Sequence, residues 1–420
     1  ILEQIEKDWM DFVNDAQMVL DSGRKDIRHT DIRATTKIGK SLGKFMSSSS
    51  LVQTPEETNP LFMTGMTKKI TQLGEGGLSP DSARNEFSAR NLSANSMNRI
   101  DPIETPESTN IGLVEHLTQD AKIEDRTIKA PVLKVRDGVA KKIKSNEFYL
   151  SPDEEYHKTI AFNDSRYVSN NKDNITFLKA KVPARRAGKV KEVSVSEIDY
   201  IDKSPRDVMG YAANMIPFVA HDDGNRALMG SNMQKQAINI VNREAPLVTT
   251  LMDPDKGITY DEYIGEQYGK PVRADVVGVV ENVDKGKITI KGNDGKTYIK
   301  PYYEYYPLNQ SFINNEVKVK PGDKVKKGDM LAEGWQTKDG KLALGLNAKV
   351  AFLPYKGYNY EDAVLISEKV VRDDMFTSIH IEEHETEARD TKLGPEEITR
   401  DIPNVSEEML RDLDDNGIIR

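Results

Sequence analysis

The chain has 420 residues, of which 37% are hydrophobic and 30% are charged, and its formal net charge is −9. This length exceeds a single ordinary domain and predicts about two to four modules. The sequence has no cysteine, which excludes disulfides, thiolate nucleophiles and cysteine zinc sites, so metal binding is left to carboxylates and the six histidines.

No run of the sequence approaches the roughly twenty apolar residues of a membrane span, and no signal-peptide pattern is present. We therefore expect a cytoplasmic protein without membrane contact. The negative net charge opposes a polyanionic partner, yet nucleic-acid binding depends on local patches. Residues 179–189 and 320–328 are basic runs of this kind, although each alone is more typical of a solvated strand edge protected by lysine.

The residue composition and the spacing of apolar residues change several times along the chain. Residues 1–22 have apolar side chains at helical spacing and predict a helix. Residues 47–99 are rich in Ser, Pro, Gly and Asn and predict loops around a short helix. Alternating runs over residues 120–205 predict a β-rich module, and residues 206–243 return to helical content. Residues 270–355 predict successive β-hairpins separated by Asp, Lys and Gly turns.

Residues 221–237 read HDDGNRALMGSNMQKQA and allow two interpretations. Asp222 and Asp223 suit a helix N-terminus, where they would interact with the helix dipole and pair with Arg226. Alternatively, the fork-shaped guanidinium of Arg226 binds phosphate oxygens. The segment alone leaves both open.

Residues 357–370 contain two adjacent acids, Glu361 and Asp362, between an aromatic turn and an apolar run. Either these acids cap a helix or they face a charged ligand.

Residues 317–334 contain two Gly-Asp turns, as do the hairpins of biotinyl- and lipoyl-carrier domains. A carrier displays a lysine at the tip of a symmetric hairpin, and nothing here marks such a lysine. A structural module of the barrel-sandwich type is the better interpretation, with a carrier scaffold as an alternative.

The five residues 380–384 read HIEEH, which matches a zinc-binding H-x-x-E-H pattern in letters. Ile379 and Ile381 alternate with His380 and Glu382, which is typical of a strand. On a strand the two imidazoles would lie about 13 Å apart, too far to share one metal ion. The pattern therefore disfavours zinc hydrolysis.

Four blocks occur in the order seen in one family, namely residues 101–117 (DPIETPESTNIGLVEHL), 221–237, 342–371 and 388–404. On these blocks the chain closely resembles the central part of the β subunit of bacterial-type multisubunit DNA-directed RNA polymerase. The resemblance runs from about residue 45 to the C-terminus and is weakest between residues 120 and 205.

The resemblance implies a mixed α+β fold of several modules around a β-barrel-containing core that is part of a double-psi β-barrel. The predicted modules are a helical and fork-loop region (1–119), a β-rich inserted module (120–205), a helix-rich nucleotide-contact segment (206–269), a barrel and hybrid-binding module (270–388) and the start of a flap or wall region (389–420).

The resemblance also assigns catalytic roles to Arg226, Glu361 and Asp362. In the family the arginine of the HDD.NRALMG block contacts the phosphates of the incoming nucleotide. The acids of the GYN(F/Y)ED block sit beside the second Mg²⁺, which arrives with the triphosphate, so Glu361 and Asp362 are expected to contact that ion indirectly or weakly. This favours a ligand over a helix cap, and hard carboxylate oxygens suit Mg²⁺.

Contacts with nucleic acid and with rifamycin drugs follow from the same resemblance. The predicted nucleic-acid-binding residues are Gln53, Glu104, Asn110, Lys235 and Gln236. The predicted residues of the rifamycin pocket, beside the RNA path, are Gln53, Glu56, Met66, Lys69 and Thr71. Of these, Gln53 matches the family pattern and Glu56 replaces a shorter acid. Met66 replaces a histidine, Lys69 an arginine and Thr71 a serine.

No part of the sequence resembles the DFDGD triad that holds the first catalytic Mg²⁺, which in the family belongs to the β′ subunit. A later lysine-containing block of β is missing as well. We therefore expect a split or truncated β chain whose partners are β′-type subunits, the rest of β, the DNA template, nascent RNA, nucleoside triphosphates and a promoter-specificity factor.

Departures from the family pattern at Asp101, Ser108 and Thr109 favour a divergent, phage-encoded enzyme acting in the host cytoplasm or packaged in the virion. The alternative is a noncatalytic nucleic-acid-binding relic of the same fold. Retention of Arg226, Glu361 and Asp362 together argues against that alternative.

Overall fold

The computed structural model describes residues 2–23, 35–49, 52–308, 310–392 and 394–419. The chain divides into two compact units, residues 1–379 and residues 380–420. The helices are α1 Leu2–Asp21, α2 Thr35–Ser48, α3 Pro60–Lys68, α4 Pro80–Ala83, α5 Pro152–Tyr156, α6 Tyr211–Met215, α7 Gly224–Lys235, α8 Tyr260–Tyr268 and α9 Glu368–Arg372.

The strands are short. In chain order they are β1 Lys69–Thr71, β2 Val114–His116, β3 Lys122–Glu124, β4 Thr127–Arg136, β5 Val139–Lys141, β6 Glu147–Leu150, β7 Ile160–Ala161, β8 Val168–Asn170, β9 Asn174–Phe177, β10 Lys181–Arg186, β11 Lys189–Ser194, β12 Tyr200–Asp202, β13 Leu251–Asp253, β14 Ile258–Thr259, β15 Val272–Arg273, β16 Gly278–Asp284, β17 Lys287–Gly292, β18 Thr297–Pro301, β19 Tyr306–Leu308, β20 Ser311–Ile313, β21 Glu316–Val317, β22 Lys324–Val325, β23 Met330–Glu333, β24 Thr337–Lys338, β25 Lys341–Leu342, β26 Asp390–Thr391 and β27 Gly394–Pro395.

The helix predicted at the start of the chain is confirmed as α1, which packs against α2. No helix in the described ranges is both long enough and apolar enough to cross a bilayer.

The β-rich content predicted for residues 120–205 is confirmed, because β3 to β12 form one sheet of ten strands. The longest strand is β4, which pairs with β3, β5, β6 and β12 along successive parts of its length. This sharing of one strand curls the sheet around an apolar core that includes Leu133, Ile175, Val182 and Ile201.

A buried network of charges joins this sheet to the loop that precedes it in the chain. The Glu155 carboxylate accepts hydrogen bonds from Arg99, at 2.5 Å, and from Arg185. Arg185 also pairs with Asp202 at 2.7 Å, and Asn98 donates to Asp202 at 2.9 Å. Each of these charges would be costly to bury alone, so their mutual pairing holds the loop against the sheet.

The hairpins predicted after residue 270 are confirmed as two small sheets, β18–β17–β16–β22 and β15–β23–β21, which share one apolar core. The two Gly-Asp turns are built alike. Asp323 and Asp329 accept hydrogen bonds from the backbone N–H of Lys320 and Lys326, both at 2.7 Å. Two sheets around one core agree with a mixed fold that contains a barrel-like module, and the double-psi topology stays a prediction.

Two expectations of strand structure were wrong. Residues 343–355 contain no strand, although β structure was expected there. Residues 380–384 also form neither strand nor helix, and His384 lies beside Glu382 with 3.3 Å between Nε2 and Oε2. Alternating β-branched residues form a strand only where a partner strand supplies hydrogen bonds, and the described part of this chain offers none here.

The carboxyl of Asp261 gives the fold a specific dependence on pH. Asp261 lies in the first turn of α8 with 4% of its surface exposed, and burial raises its pKa to about 6. Between about pH 4 and pH 6 the folded chain holds a proton that the unfolded chain has released, so this group makes stability fall as the pH rises through that window.

We therefore expect Asp261→Asn to increase the free energy of unfolding above pH 7 by at most about 3 kcal/mol, which raises the melting temperature there. Near pH 4 it should have little effect. Thermal denaturation across that range measures this. Asp153 occupies the same position in the first turn of α5 but is exposed, so Asp153→Asn is the matched control. Equal effects of the two changes at every pH would contradict the explanation.

Candidate functional site

The helix α7 presents Arg226 to solvent in its first turn. The side chain of Asp223 caps the helix by accepting a hydrogen bond from the backbone N–H of Asn225 at 3.1 Å, which confirms the predicted helix N-terminus. The predicted pairing of Arg226 with the neighbouring acids is wrong. Its Nη1 lies 3.1 Å from the sulfur of Met229, and it forms no ion pair with any described residue. The exposed guanidinium can therefore bind an anion.

The opposite side of α7 is buried. Ala227, Ser231 and Lys235 have 2%, 0% and 8% of their surfaces exposed. Gln236 follows the helix and is exposed. At 1.5 Å per residue, Arg226 and Gln236 mark two exposed points about 15 Å apart along one fixed helix.

Glu104 is the acceptor that fixes this buried side. It is 3% exposed, and its carboxylate accepts a hydrogen bond from the Ala213 backbone N–H at 3.1 Å. Its Oε2 lies 3.7 Å from Nζ of Lys235 and 3.7 Å from Nδ1 of His116. Burial, with a smaller contribution from Lys235, lowers the pKa of His116, which favours its neutral form.

Asp101 has a structural role beside Glu104. Its carboxylate accepts hydrogen bonds from the backbone N–H groups of Gly210 at 2.6 Å, Ile103 at 2.7 Å and Glu104 at 3.3 Å. Burial and, secondly, the charge of Glu104 raise its pKa to about 7. Asp101 thereby connects the IETPE loop (residues 103–107) to the start of α6, and no local sequence pattern predicts this distant contact.

The drug-pocket segment, residues 53–71, contains the predicted rifamycin contacts and ends in β1, which pairs with the strand that follows the IETPE loop. In this pairing of β1 with β2, Lys69 is opposite His116 and Thr71 is opposite Val114. Four of the residues predicted to contact nucleic acid or the drug are exposed, namely Gln53, Lys69, Thr71 and Asn110. Glu56 and Met66 of the predicted drug pocket are half-buried.

Glu361 and Asp362 do not cap a helix. Both are exposed in a turn in which Glu361 has a φ of 56°, and the next helix, α9, begins only at Glu368 after Ser367. Within the described ranges neither acid forms a side-chain hydrogen bond or ion pair, and none joins them to Arg226. The helix-cap interpretation is therefore wrong, and the ligand interpretation stays a prediction.

The donor set fits Mg²⁺ only in a limited way. No group of three or more His, Asp or Glu side chains that could hold a metal lies among the described residues. Two exposed carboxylates suit an ion that a triphosphate and water already ligate, rather than a closed protein site.

Family models match three stretches of the chain. RNA polymerase Rpb2, domain 3, matches residues 53–123, the RNA polymerase beta subunit external 1 domain matches residues 133–204, and RNA polymerase Rpb2, domain 6, matches residues 273–420. These stretches follow one another along the chain without overlap.

Similar curated proteins carry the name DNA-directed RNA polymerase subunit beta. The protein of Acetivibrio thermocellus is 42% identical over 391 residues, which cover 91% of this chain and 30% of the relative. That of Fusobacterium nucleatum is 44% identical over 377 residues, which cover 89% of this chain and 30% of the relative. That of Streptomyces coelicolor is 42% identical over 383 residues, which cover 90% of this chain and 32% of the relative.

The chain therefore belongs to the RNA polymerase β-subunit family and corresponds to a portion of such a subunit, as the sequence blocks predicted. It spans about a third of the length of the curated relatives that it matches.

The buried position of Glu104 predicts a large cost for its removal. Glu104→Ala leaves the Lys235 ammonium and the Ala213 N–H without their acceptor, so we expect a loss of about 3 kcal/mol or more of stability. Glu107, three residues later in the same motif, is exposed, and Glu107→Ala should change stability by about 0.5 kcal/mol or less. Calorimetric unfolding of both variants checks this, and similar small losses would contradict the anchoring role.

Proposed function

We propose that the chain supplies β-side contacts to the nucleoside triphosphate, the RNA and the DNA in a multisubunit DNA-dependent RNA polymerase. It would act in nucleotidyl transfer only together with β′-type subunits and the rest of β. The observation that carries this proposal is Arg226, an exposed cation that forms no ion pair with a described residue and lies on a helix whose other side is buried and anchored. Such a preorganised cation suits a polyphosphate.

In this proposal Arg226 binds phosphate oxygens of the incoming nucleotide and stabilises the charge that develops on the leaving pyrophosphate. Glu361 and Asp362, exposed and without protein partners among the described residues, face the metal end of the triphosphate. Mg²⁺ bound with the triphosphate supplies charge neutralisation and alignment of the phosphates. The first catalytic Mg²⁺ would be held by a partner subunit.

The RNA and DNA contacts divide into direct and indirect ones. Gln53, Asn110 and Gln236 are exposed and suit direct contact with nucleic acid. Glu104 and Lys235 are buried, so we propose that they act by fixing the position of α7. The promoter-specificity factor, the phage origin and the cytoplasmic location stay predictions of the sequence.

Replacement of the proposed phosphate ligand should slow the reaction strongly. In the assembled enzyme, Arg226→Ala is expected to reduce the rate of nucleotide addition on the order of 10²-fold, the effect of losing one preorganised electrostatic donor. Asp362→Ala should raise the Mg²⁺ concentration needed for half-maximal rate. Arg166 is an exposed arginine in the turn between β7 and β8, and Arg166→Ala is the control. Primer-extension rates matching the wild type in Arg226→Ala would refute the assignment.

The chain alone should be inactive. We expect no nucleotide addition by the purified chain on a primed scaffold of DNA and RNA, because two exposed carboxylates do not make a complete two-metal site. Addition of the companion subunits should restore synthesis. Robust extension by the chain alone would overturn its proposed place in a multisubunit enzyme.

The assembled enzyme should resist rifampicin. Met66 in place of histidine removes a polar contact, Lys69 in place of arginine removes a planar fork, and Thr71 in place of serine adds a methyl group. At about 1 kcal/mol each, these changes would weaken binding by roughly two orders of magnitude. The triple change Met66→His, Lys69→Arg and Thr71→Ser should restore inhibition of transcription. Inhibition of the unchanged enzyme at concentrations that stop a bacterial polymerase would show that the pocket is misassigned.

A further inference from the structure

A single buried amide connects the two helices that border the predicted RNA path. Asn59 is 0% exposed and caps α3, because its Oδ1 accepts a hydrogen bond from the Phe62 backbone N–H at 2.7 Å. Its Nδ2 donates to three backbone carbonyls at the end of α7, those of Gln234 at 3.3 Å, Lys235 at 2.7 Å and Ala237 at 2.9 Å. One side chain therefore caps the start of one helix and the end of another.

The three carbonyls lie on both sides of Gln236 in the chain. The last carbonyls of a helix have no partner within the helix, so another donor must satisfy them when they are buried. Asn59 is such a donor, and it fixes the backbone immediately before and after Gln236. The side chain of Gln236 is left exposed at this fixed point.

The approach of the two helices is close at this junction. A Cβ atom on Gly65 of α3 would lie 3.2 Å from Cδ of Lys235, which is tighter than an ordinary van der Waals contact. The Lys235 side chain therefore packs directly against α3, and a side chain at Gly65 would have to displace it. The junction suits a fixed position better than a sliding contact.

We propose that Asn59 is a positioning residue that holds Gln236 against the RNA. The inference rests on the proposed function, since it takes Gln236 as an RNA contact. Asparagine meets the requirement because its amide offers one acceptor oxygen and two N–H donors on the same short side chain. An acceptor alone would cap α3 but remove the side-chain donor from the carbonyls of Lys235 and Ala237, on either side of Gln236.

The test uses Asn59→Asp in the assembled enzyme. Aspartate keeps the acceptor for Phe62 but places a carboxylate oxygen against three carbonyl oxygens, so the backbone around Gln236 must move. The readout is the lifetime of labelled RNA in a stalled elongation complex. We expect Asn59→Asp and Gln236→Ala each to shorten this lifetime on the order of tenfold.

The double variant decides whether the two residues act together. If Asn59 acts through Gln236, the combined change should shorten the lifetime no further than the stronger single change. The KM for nucleoside triphosphate should change much less than the RNA lifetime, because Glu104 still holds α7 through Lys235 and Arg226 lies at the opposite end of the helix. Ser151 caps α5, the short helix between β6 and β7, so Ser151→Ala removes a cap elsewhere and should leave RNA release unchanged.

The outcomes separate this inference from the proposed function. A shortened lifetime in Gln236→Ala with a normal one in Asn59→Asp, or multiplied effects in the double variant, would overturn the positioning role and leave the function standing. A normal lifetime in Gln236→Ala would overturn the RNA contact and the inference with it. If Asn59→Asp does not assemble, Asn59→Ser also keeps a cap for α3, loses the amide donors, and gives the same comparison.

Discussion

The position of Arg226 depends on the buried side of α7, because a helix presents a cation at a defined point only if its other side is fixed. In α7 that side is fixed by buried polar groups that must be paired. The Glu104 carboxylate pairs with Lys235 and the Ala213 N–H. The Asn59 amide meets the carbonyls at the end of the same helix. Any shift of α7 would leave buried groups unpaired at a cost of about 1 to 3 kcal/mol each, so Arg226 is exposed on a fixed support.

The pairing of buried polar groups also connects parts of the chain that are distant in sequence. β1 pairs with β2 and brings the predicted drug-pocket segment against the strand that follows the IETPE loop. Asp101 connects that loop to Gly210 before α6. The segment matched by Rpb2 domain 3 and the helices α6 and α7, which follow the ten-stranded sheet, therefore share one set of buried contacts. A change in the drug-pocket segment can reach α7 through these contacts without touching nucleic acid.

Sequence patterns predicted the features that depend on local periodicity, such as α1 and the hairpins from β16 to β18, because neighbouring residues decide them. Features that depend on distant partners were missed or wrong. The Asn-Pro pair at residues 59 and 60 marks a helix start, but no local signal shows that Asn59 also bonds to Lys235, 176 residues away. The pattern around His380 alternates like a strand but has no partner strand in the described chain. The sequence analysis predicted both Lys235 and Gln236 as nucleic-acid contacts. In the structure Gln236 is exposed, whereas Lys235 is buried.

We propose that α7 faces the nucleotide and the RNA of a polymerase active centre. The most direct measurement is a structure of the assembled enzyme on a primed scaffold with a nonhydrolysable nucleoside triphosphate. We expect the Arg226 guanidinium within hydrogen-bond distance of the phosphates and Gln236 against the RNA. Glu361 and Asp362 should lie at the metal end of the triphosphate. Arg226 directed into bulk solvent or into a protein interface, with the triphosphate bound elsewhere, would contradict it.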